Sequence, residues 1–189
     1  RRRPDGSSCQ VPKKSTILHV FNRMADRGEI SSPHPLQKLL VKKATKSLSG
    51  VLVITVLTSP YPIVYPEESD EGGSTGVGLT QKFTCEWDCH YCPNEKGQPR
   101  SYLHDEPSVL RANRNDFDAV KQFTDRAVTL AINGHPIDKI ELIVLGGTWN
   151  SYPLGYREEF IRDVFYAANT LLIRHDKRPP LSLQLEKKK

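Results

Sequence analysis

The sequence is poor in several features, and each shortage excludes a class of protein. No apolar run approaches the ~20 residues needed to span a bilayer, and the longest, residues 51–57, has the length of a strand. Only four cysteines occur in 189 residues, and three of them are clustered, which does not suit a disulfide-stapled secreted domain. No apolar block follows arginines 1–3 as it would in a signal peptide. We therefore expect no membrane partner and a cytoplasmic setting, with a nuclear one also open.

Methionine is scarce as well, since Met24 is the sole example and the chain opens on arginine. We expect the sequence to be part of a longer protein.

Positive charge is concentrated at the beginning of the chain. The net charge is +5, and residues 1–50 hold eleven Lys or Arg against three acids. Such a segment is typical of proteins that bind a phosphate backbone, and a solvated basic tail is the alternative. Contacts of this kind position a nucleic acid without reading its sequence. The candidate residues for phosphate contact, which become tRNA-binding candidates under the family resemblance given below, are Lys13, Lys14, Lys38, Lys42, Lys43 and Lys46.

The pattern of apolar residues predicts an α/β fold. Apolar positions at helical spacing indicate helices at 15–28, after Pro35, at about 118–133 and at about 156–173. Two apolar runs, 51–57 and 140–145, predict buried parallel strands. The order strand, loop, helix occurs twice, which favours a parallel sheet covered by helices.

Two stretches lie outside these elements. Residues 1–14 are polar and turn-rich, which predicts a basic flexible arm. Residues 63–84 combine Pro66, a group of acids and a Gly/Ser/Thr-rich tail, so they predict a long insertion loop. That loop delivers the next motif just beyond the end of a strand.

The motif TCEWDCHYCP places Cys85, Cys89 and Cys92 within eight residues. Three thiols cannot all pair as disulfides. A [4Fe–4S] cluster takes four protein ligands, so three cysteines leave one iron open to a small molecule. The alternatives are a zinc site, which usually uses two separated ligand pairs, and three inert thiols. No second pair is present, His90 adjoins Cys89 and should diverge from it, and the remote Cys9 is interpreted as a free thiol.

The segment CEWDCHYC resembles the Cys-x-x-x-Cys-x-aromatic-Cys signature of the radical S-adenosylmethionine superfamily. The resemblance implies a [4Fe–4S] cluster on the three cysteines, with S-adenosylmethionine bound at the open iron and converted to a 5′-deoxyadenosyl radical. It also implies that Tyr91 lies near the adenine. Gly146, Gly147 and Thr148 then form the glycine-rich turn that receives the methionine amino group.

A closer resemblance covers about residues 15–189. The blocks SLSGVLVITVLTSPYP, YCPNE, SYLHDEPSVLRANRNDFDAVKQ and the stretch from GHPIDKIELIVLGG onward resemble the tRNA uridine-modifying acetyltransferase family, which includes the Elongator catalytic subunits. The resemblance implies that 47–189 is the N-terminal part of a radical-type (β/α) barrel, truncated here. A basic helical tRNA-binding extension, 15–46, precedes it.

The family resemblance also implies an activity. Its members add a carboxymethyl group to carbon 5 of the wobble uridine of tRNA, using acetyl-CoA bound by an acetyltransferase domain that lies outside this chain. The implied partners are tRNA and the other Elongator subunits. The insertion 63–84 departs from the family pattern, in which the first cysteine follows almost at once.

Two questions stay open at the level of sequence. The alternative function is a tRNA-binding scaffold with a structural or inactive iron–sulfur or zinc site. Trp149 either stacks on an adenine or a flipped base or packs against the fold. No residue is assigned a catalytic role.

Overall fold

The computed structural model describes residues 11–64, 78–173 and 177–189. Cys9 and most of the predicted arm 1–14 lie outside the described residues, as does the centre of the insertion 63–84. The described chain divides into two compact units. The first comprises residues 11–53 and 127–141, and the second comprises 54–64, 78–126, 142–173 and 177–189.

The first unit contains two helices of the basic N-terminal region. Helix α1 spans Lys14–Asp26 and buries Leu18 and Phe21. Gly28 follows it with φ +72°, and its N–H donates to the Ala25 carbonyl, so the helix ends close to the predicted limit of residue 28. Helix α2 spans Pro35–Leu40 and is capped at His34, whose ring accepts from the Leu36 N–H at 3.2 Å.

A buried histidine connects the remaining segments of the first unit. His135 is 4% exposed, and its Nδ1 lies 3.0 Å from Ser47 Oγ. Its Nε2 lies 2.9 Å from the Lys42 carbonyl oxygen. The two ring nitrogens thus form hydrogen bonds with polar groups that lie 88 and 93 residues earlier in the chain.

Strands β1 (Leu52–Leu57) and β4 (Ile140–Leu145) form a two-stranded sheet. The Leu52 N–H donates to the Lys139 carbonyl at 2.9 Å, and the Thr58 N–H donates to the Leu145 carbonyl at 2.8 Å. The residue offset is the same in both bonds, so the strands are parallel. The predicted α/β class and the positions of both predicted strands are confirmed, but the predicted burial holds only for β1, because every residue of β4 is half-buried or exposed. The barrel stays a prediction because the described sheet contains two strands.

Helix α4 (Ala119–Ile132) closes the outer edge of β1 through one side chain. The carboxamide of Gln122 accepts from the Leu57 N–H and donates to the Leu57 carbonyl, both at 2.9 Å. Alternate residues of a strand point their polar groups to opposite edges. Since Thr58 bonds to the β4 side, the Leu57 groups face away from β4, and Gln122 takes the place of a neighbouring strand there.

The ends of the predicted insertion are paired with each other. Strand β2 (Ile63–Val64) pairs antiparallel with β3 (Leu79–Thr80). The sequence did not predict this ladder, nor helix α3 (Pro107–Arg114), which contributes Val109 and Ala112 to a core cluster with Leu57.

Helix α5 spans Leu154–Asn169 and the short α6 spans Leu183–Glu186. The prediction that α5 continues to residue 173 is wrong, because the backbone leaves the helical conformation at Thr170, with φ −107° and ψ 5°. Leu172 beyond this point is 80% exposed and gains no packing that would extend the helix. Glu186 is buried and bonds to Arg178, to Asn169 Nδ2 and to the Leu181 N–H. None of the helices in the described ranges is long and apolar enough to cross a bilayer.

Candidate cluster-binding site

Two motifs far apart in the sequence line one cavity of about 260 Å³ in the second unit. One motif is the cysteine segment between β3 and α3, and the other is the turn that follows β4. The lining residues are Cys85, Trp87, Cys89, Tyr91, Cys92, Arg100, Ser101, Gly146, Gly147 and Thr148. The structure therefore brings together all seven residues that the sequence predicted for the metal and cofactor site.

The glycines of the turn let the cysteine segment approach β4. A Cβ on Gly147 would lie 2.0 Å from the Thr84 carbonyl oxygen, and a Cβ on Gly146 would lie 1.7 Å from Thr58 Oγ1. Neither position can hold a side chain without displacing its neighbour. Gly146 also has φ +152°, which side chains rarely allow. Because Thr84 precedes Cys85, this close contact fixes where the cysteine segment begins.

Hydroxyl groups outside the cysteine segment contact two of the cysteine sulfurs. Cys85 Sγ lies 3.0 Å from Thr148 Oγ1, and Cys92 Sγ lies 2.6 Å from Ser101 Oγ. Among the residues that the structure describes, none of the three forms a disulfide. A hydroxyl that donates to a thiolate sulfur stabilises the anionic form, and the Thr148 contact contributes in this way to the lowered pKa of Cys85.

Arg100 supplies positive charge beside the cysteines. Its guanidinium pairs with Asp88, within the cysteine segment, and its side chain is 11% exposed. The backbone N–H of Arg100 donates to Thr84 Oγ1 at 2.8 Å. Although partial burial opposes the shift, hydrogen bonding to Thr148 and the charge of Arg100 lower the pKa of Cys85. The negative charge of Cys89 raises the pKa of Tyr91.

The donor set fits a cluster better than a single ion. Across 11–64, 78–173 and 177–189, no group of three or more His, Cys, Asp and Glu side chains is arranged to hold one metal ion. A tetrahedral zinc site would require four ligands converging on one centre, whereas the thiolates of a [4Fe–4S] cluster each bind a different iron. Three unpaired thiols around one open cavity suit the second arrangement.

Aromatic residues at the cavity occupy two different environments. Tyr91 and Trp87 are 89% and 61% exposed, and both line the cavity. The Trp149 ring instead packs edge-on against Phe160, with ring centroids 5.9 Å apart, and at 6.3 Å from Tyr152. Of the two interpretations of Trp149, the described contacts favour packing.

Two tyrosine hydroxyls form hydrogen bonds at the ends of the strands and at the glycine turn. Tyr152 Oη lies 2.6 Å from Thr58 Oγ1 and accepts from the Gly147 N–H at 3.3 Å. Tyr156 Oη accepts from the Ser59 N–H at 2.7 Å. Burial raises the pKa of both tyrosines, so they remain neutral hydrogen-bonding groups that hold the ends of β1 and β4.

Sequence reasoning missed several residues of this site. It did not assign Arg100, Ser101 or Tyr152, although Arg100 and Ser101 follow the cysteines within ten residues. Their roles depend on contacts made after a turn in the chain, which residue type alone does not reveal.

The predicted tRNA-binding lysines belong to the first unit. All six side chains are exposed, and Lys14 Nζ donates to the Leu39 carbonyl at 2.9 Å. An exposed cationic surface is available to phosphates. The lysines and their positions are Lys13 before α1, Lys14 within it, Lys38 in α2, and Lys42, Lys43 and Lys46 after α2.

No protein-family model matches the sequence. Individual proteins do. The chain is 34% identical over 129 residues to a tRNA uridine(34) acetyltransferase of Dehalococcoides mccartyi, a match that covers 68% of this chain and 23% of that protein. It is 32% identical over 136 residues to the tRNA uridine(34) acetyltransferase of Methanocaldococcus jannaschii, covering 69% and 21%.

A eukaryotic relative gives the same result. Elongator complex protein 3 of Saccharomyces cerevisiae is 31% identical over 157 residues, which covers 80% of this chain and 25% of that protein. The chain thus spans about a quarter of the length of the curated relatives it matches. The chain belongs to the family of the tRNA uridine(34) acetyltransferases and Elongator complex protein 3.

Proposed function

We propose that this chain is the cofactor-binding part of a tRNA-modifying radical S-adenosylmethionine enzyme, the catalytic subunit of an Elongator-type complex. The proposed reaction adds a carboxymethyl group to carbon 5 of the wobble uridine, with acetyl-CoA and a 5′-deoxyadenosyl radical. The names of the relatives support tRNA uridine 34 as the substrate and acetyl transfer as the chemistry. One observation carries the proposal: the cysteine segment and the Gly146–Thr148 turn line the same cavity.

In this proposal each part of the cavity has a defined task. Cys85, Cys89 and Cys92 hold a [4Fe–4S] cluster, and one iron has no protein ligand. The chemistry that the cluster supplies when bound is one-electron reduction of the sulfonium of S-adenosylmethionine. Tyr91 provides an exposed aromatic surface for the adenine, and the backbone of Gly146 and Gly147 provides polar groups for the methionine end.

The surrounding residues prepare the cavity before anything binds. Thr148 and Ser101 contact two of the sulfurs, and Arg100 adds positive charge. The Thr148 contact and the Arg100 charge lower the pKa of Cys85, which favours the thiolate form that iron requires. The sheet end is held by Tyr152 and Tyr156, so the turn keeps its position relative to Cys85.

The remaining parts of the proposal concern the setting. Exposed lysines of residues 13–46 hold the tRNA backbone, other Elongator subunits bind elsewhere, and a radical-type (β/α) barrel completes the sheet. The acetyl-CoA site lies outside this chain. We propose that the protein works in the cytoplasm, with the nucleus as the alternative setting.

Cys89→Ser tests the cluster assignment, with Cys9→Ser as the matched control. After anaerobic reconstitution, iron and sulfide are counted and the iron–sulfur absorption is recorded. We expect about four iron atoms per wild-type chain, the same number in C9S, and a large loss in C89S. Full incorporation in C89S would reject the assignment.

A second assay separates the enzyme from the scaffold. Reduced, reconstituted protein is incubated with S-adenosylmethionine, and 5′-deoxyadenosine is measured by chromatography. Cleavage supports the radical enzyme. A protein that binds tRNA and iron but yields no 5′-deoxyadenosine would instead be a scaffold with a structural cluster, and a colourless protein containing zinc would support the zinc alternative.

A further inference from the structure

We propose that Ser101 is a positioning residue that tunes the reduction potential of the cluster through a hydrogen bond to Cys92. The inference rests on the proposed function, because it requires the cluster to be held by the cysteines. It concerns a residue that lies outside the cysteine motif and outside the glycine turn.

The contact itself is short. Ser101 Oγ lies 2.6 Å from Cys92 Sγ, the shorter of the two hydroxyl contacts to these sulfurs. When Cys92 is a thiolate, its sulfur has no proton, so the serine hydroxyl must donate. The hydroxyl lies at the wall of the cavity, among the residues that surround the cysteines.

The backbone at this position is unfavourable for serine. Ser101 has φ +77°, in the left-handed region that residues with a side chain rarely occupy. Its N–H donates to the Pro93 carbonyl at 3.1 Å, which ties it to the residue after Cys92. Glycine would adopt the same conformation without this strain. A strained non-glycine residue that aims its side chain at a functional atom indicates a role for that side chain.

A neighbouring residue strengthens the same effect. The guanidinium of Arg100 pairs with Asp88 in the cysteine segment, and Cys92 is also among the groups that interact with it. The backbone of 100–101 is therefore held against the cysteine segment from both sides, through Thr84 Oγ1 and through the Pro93 carbonyl. These two backbone hydrogen bonds hold the Ser101 hydroxyl within hydrogen-bond distance of the Cys92 sulfur.

The physical consequence concerns the electron. A reduced cluster carries one more negative charge than an oxidised one, and part of that charge resides on the thiolate sulfurs. Hydrogen-bond donors to the sulfurs therefore stabilise the reduced form and raise the potential. Removing the Ser101 hydroxyl should make the cluster harder to reduce.

The test compares Ser101→Gly and Ser101→Asn in the full chain after anaerobic reconstitution. Both residues tolerate the left-handed backbone, but only asparagine carries a donor. Ser151→Ala is the control, because the Ser151 hydroxyl is buried and has no hydrogen-bond partner among residues 11–64, 78–173 and 177–189. Iron and sulfide are counted first, and the midpoint potential is then measured by titration with dithionite, followed by electron paramagnetic resonance.

We expect S101G to contain iron but to show about a tenfold lower ratio of reduced to oxidised cluster at a fixed potential, ~59 mV for one electron. S101N should lie closer to the wild type, and S151A should match it. Equal potentials in the wild type and S101G would overturn this inference while leaving the proposed function intact. A wild-type chain that takes up no iron would overturn both.

A second readout does not depend on the cluster. Without iron, S101G should unfold at a higher temperature than the wild type, by about 2–4 °C, because the strain is relieved. A lower unfolding temperature in S101G would show that the serine is retained for stability, and would overturn the proposed role.

Discussion

Replacing Gln122 by leucine tests whether one side chain of α4 completes the edge of β1. The wild-type carboxamide makes two hydrogen bonds of 2.9 Å to the N–H and carbonyl of Leu57. Gln122 is 4% exposed and Leu57 is fully buried, so water cannot replace the lost partners. Leucine has a similar size and removes both bonds at once.

The expected loss of stability follows from these contacts. A buried donor or acceptor left without a partner costs about 1–3 kcal/mol. Two such groups give about 2–6 kcal/mol, and the added apolar surface of leucine offsets part of that cost. We therefore expect Gln122→Leu to lower the free energy of unfolding by about 2–5 kcal/mol, which lowers Tm by on the order of 10 °C.

The assay is urea unfolding followed by circular dichroism, with Thr124→Val as the control on the same helix. The Thr124 hydroxyl is buried and has no hydrogen-bond partner in the part of the chain that the structure describes, so its removal should leave stability unchanged or slightly higher. If Q122L were as stable as T124V, the Leu57 groups would have other partners, and the assigned role of Gln122 would be wrong.

Three further predictions concern the turn, the C-terminal clamp and the basic surface. Gly147→Ala should push the turn away from Thr84 and reduce the iron content, because the new Cβ would lie 2.0 Å from the Thr84 carbonyl oxygen. Gly155→Ala is the control and should leave the iron content unchanged, because its Cβ would lie 3.9 Å from the nearest heavy atom. Arg178 lowers the pKa of Glu186 to about 2. The ionised Glu186 carboxylate should therefore stabilise the fold above pH 4.5, and this contribution should be lost as the pH falls toward 2. In Glu186→Gln, the free energy of unfolding should vary less with pH over that range. Neutralising the exposed lysines Lys38, Lys42 and Lys43 of the first unit should weaken tRNA binding and reduce the slope of log affinity against log salt by about 2–3. The control neutralises the exposed C-terminal lysines Lys187, Lys188 and Lys189. An equal effect from the control would refute a specific tRNA-binding surface in the first unit.

The regular elements with a strong local pattern were predictable. The strand at 140–145 has the predicted bounds, and helix α4 begins and ends within one residue of its prediction. Both are set by continuous apolar or helical periodicity. Helix α3 was missed because its eight residues bury only Val109 and Ala112, too few to show a periodic pattern.

The cavity was predictable only in part. The spacing of the cysteines predicts a cluster, which stays a prediction, and a glycine pair after a strand indicated a turn with little room. Ser101 and Tyr152 carried no comparable signal. Each acts on an atom that another part of the chain supplies, Cys92 in one case and Thr58 in the other.

The sequence by itself determined the chemical groups and the elements that carry them: three closely spaced thiols, a glycine turn, two strands and a basic N-terminal region. These depend on residue type and on spacing along a few turns of chain. Tertiary structure alone decided which distant groups meet. It placed Thr84 against Gly147, aimed the Ser101 hydroxyl at Cys92 and gave Leu57 a partner in Gln122. Such contacts depend on how buried polar groups find partners across the fold, and no local pattern encodes that.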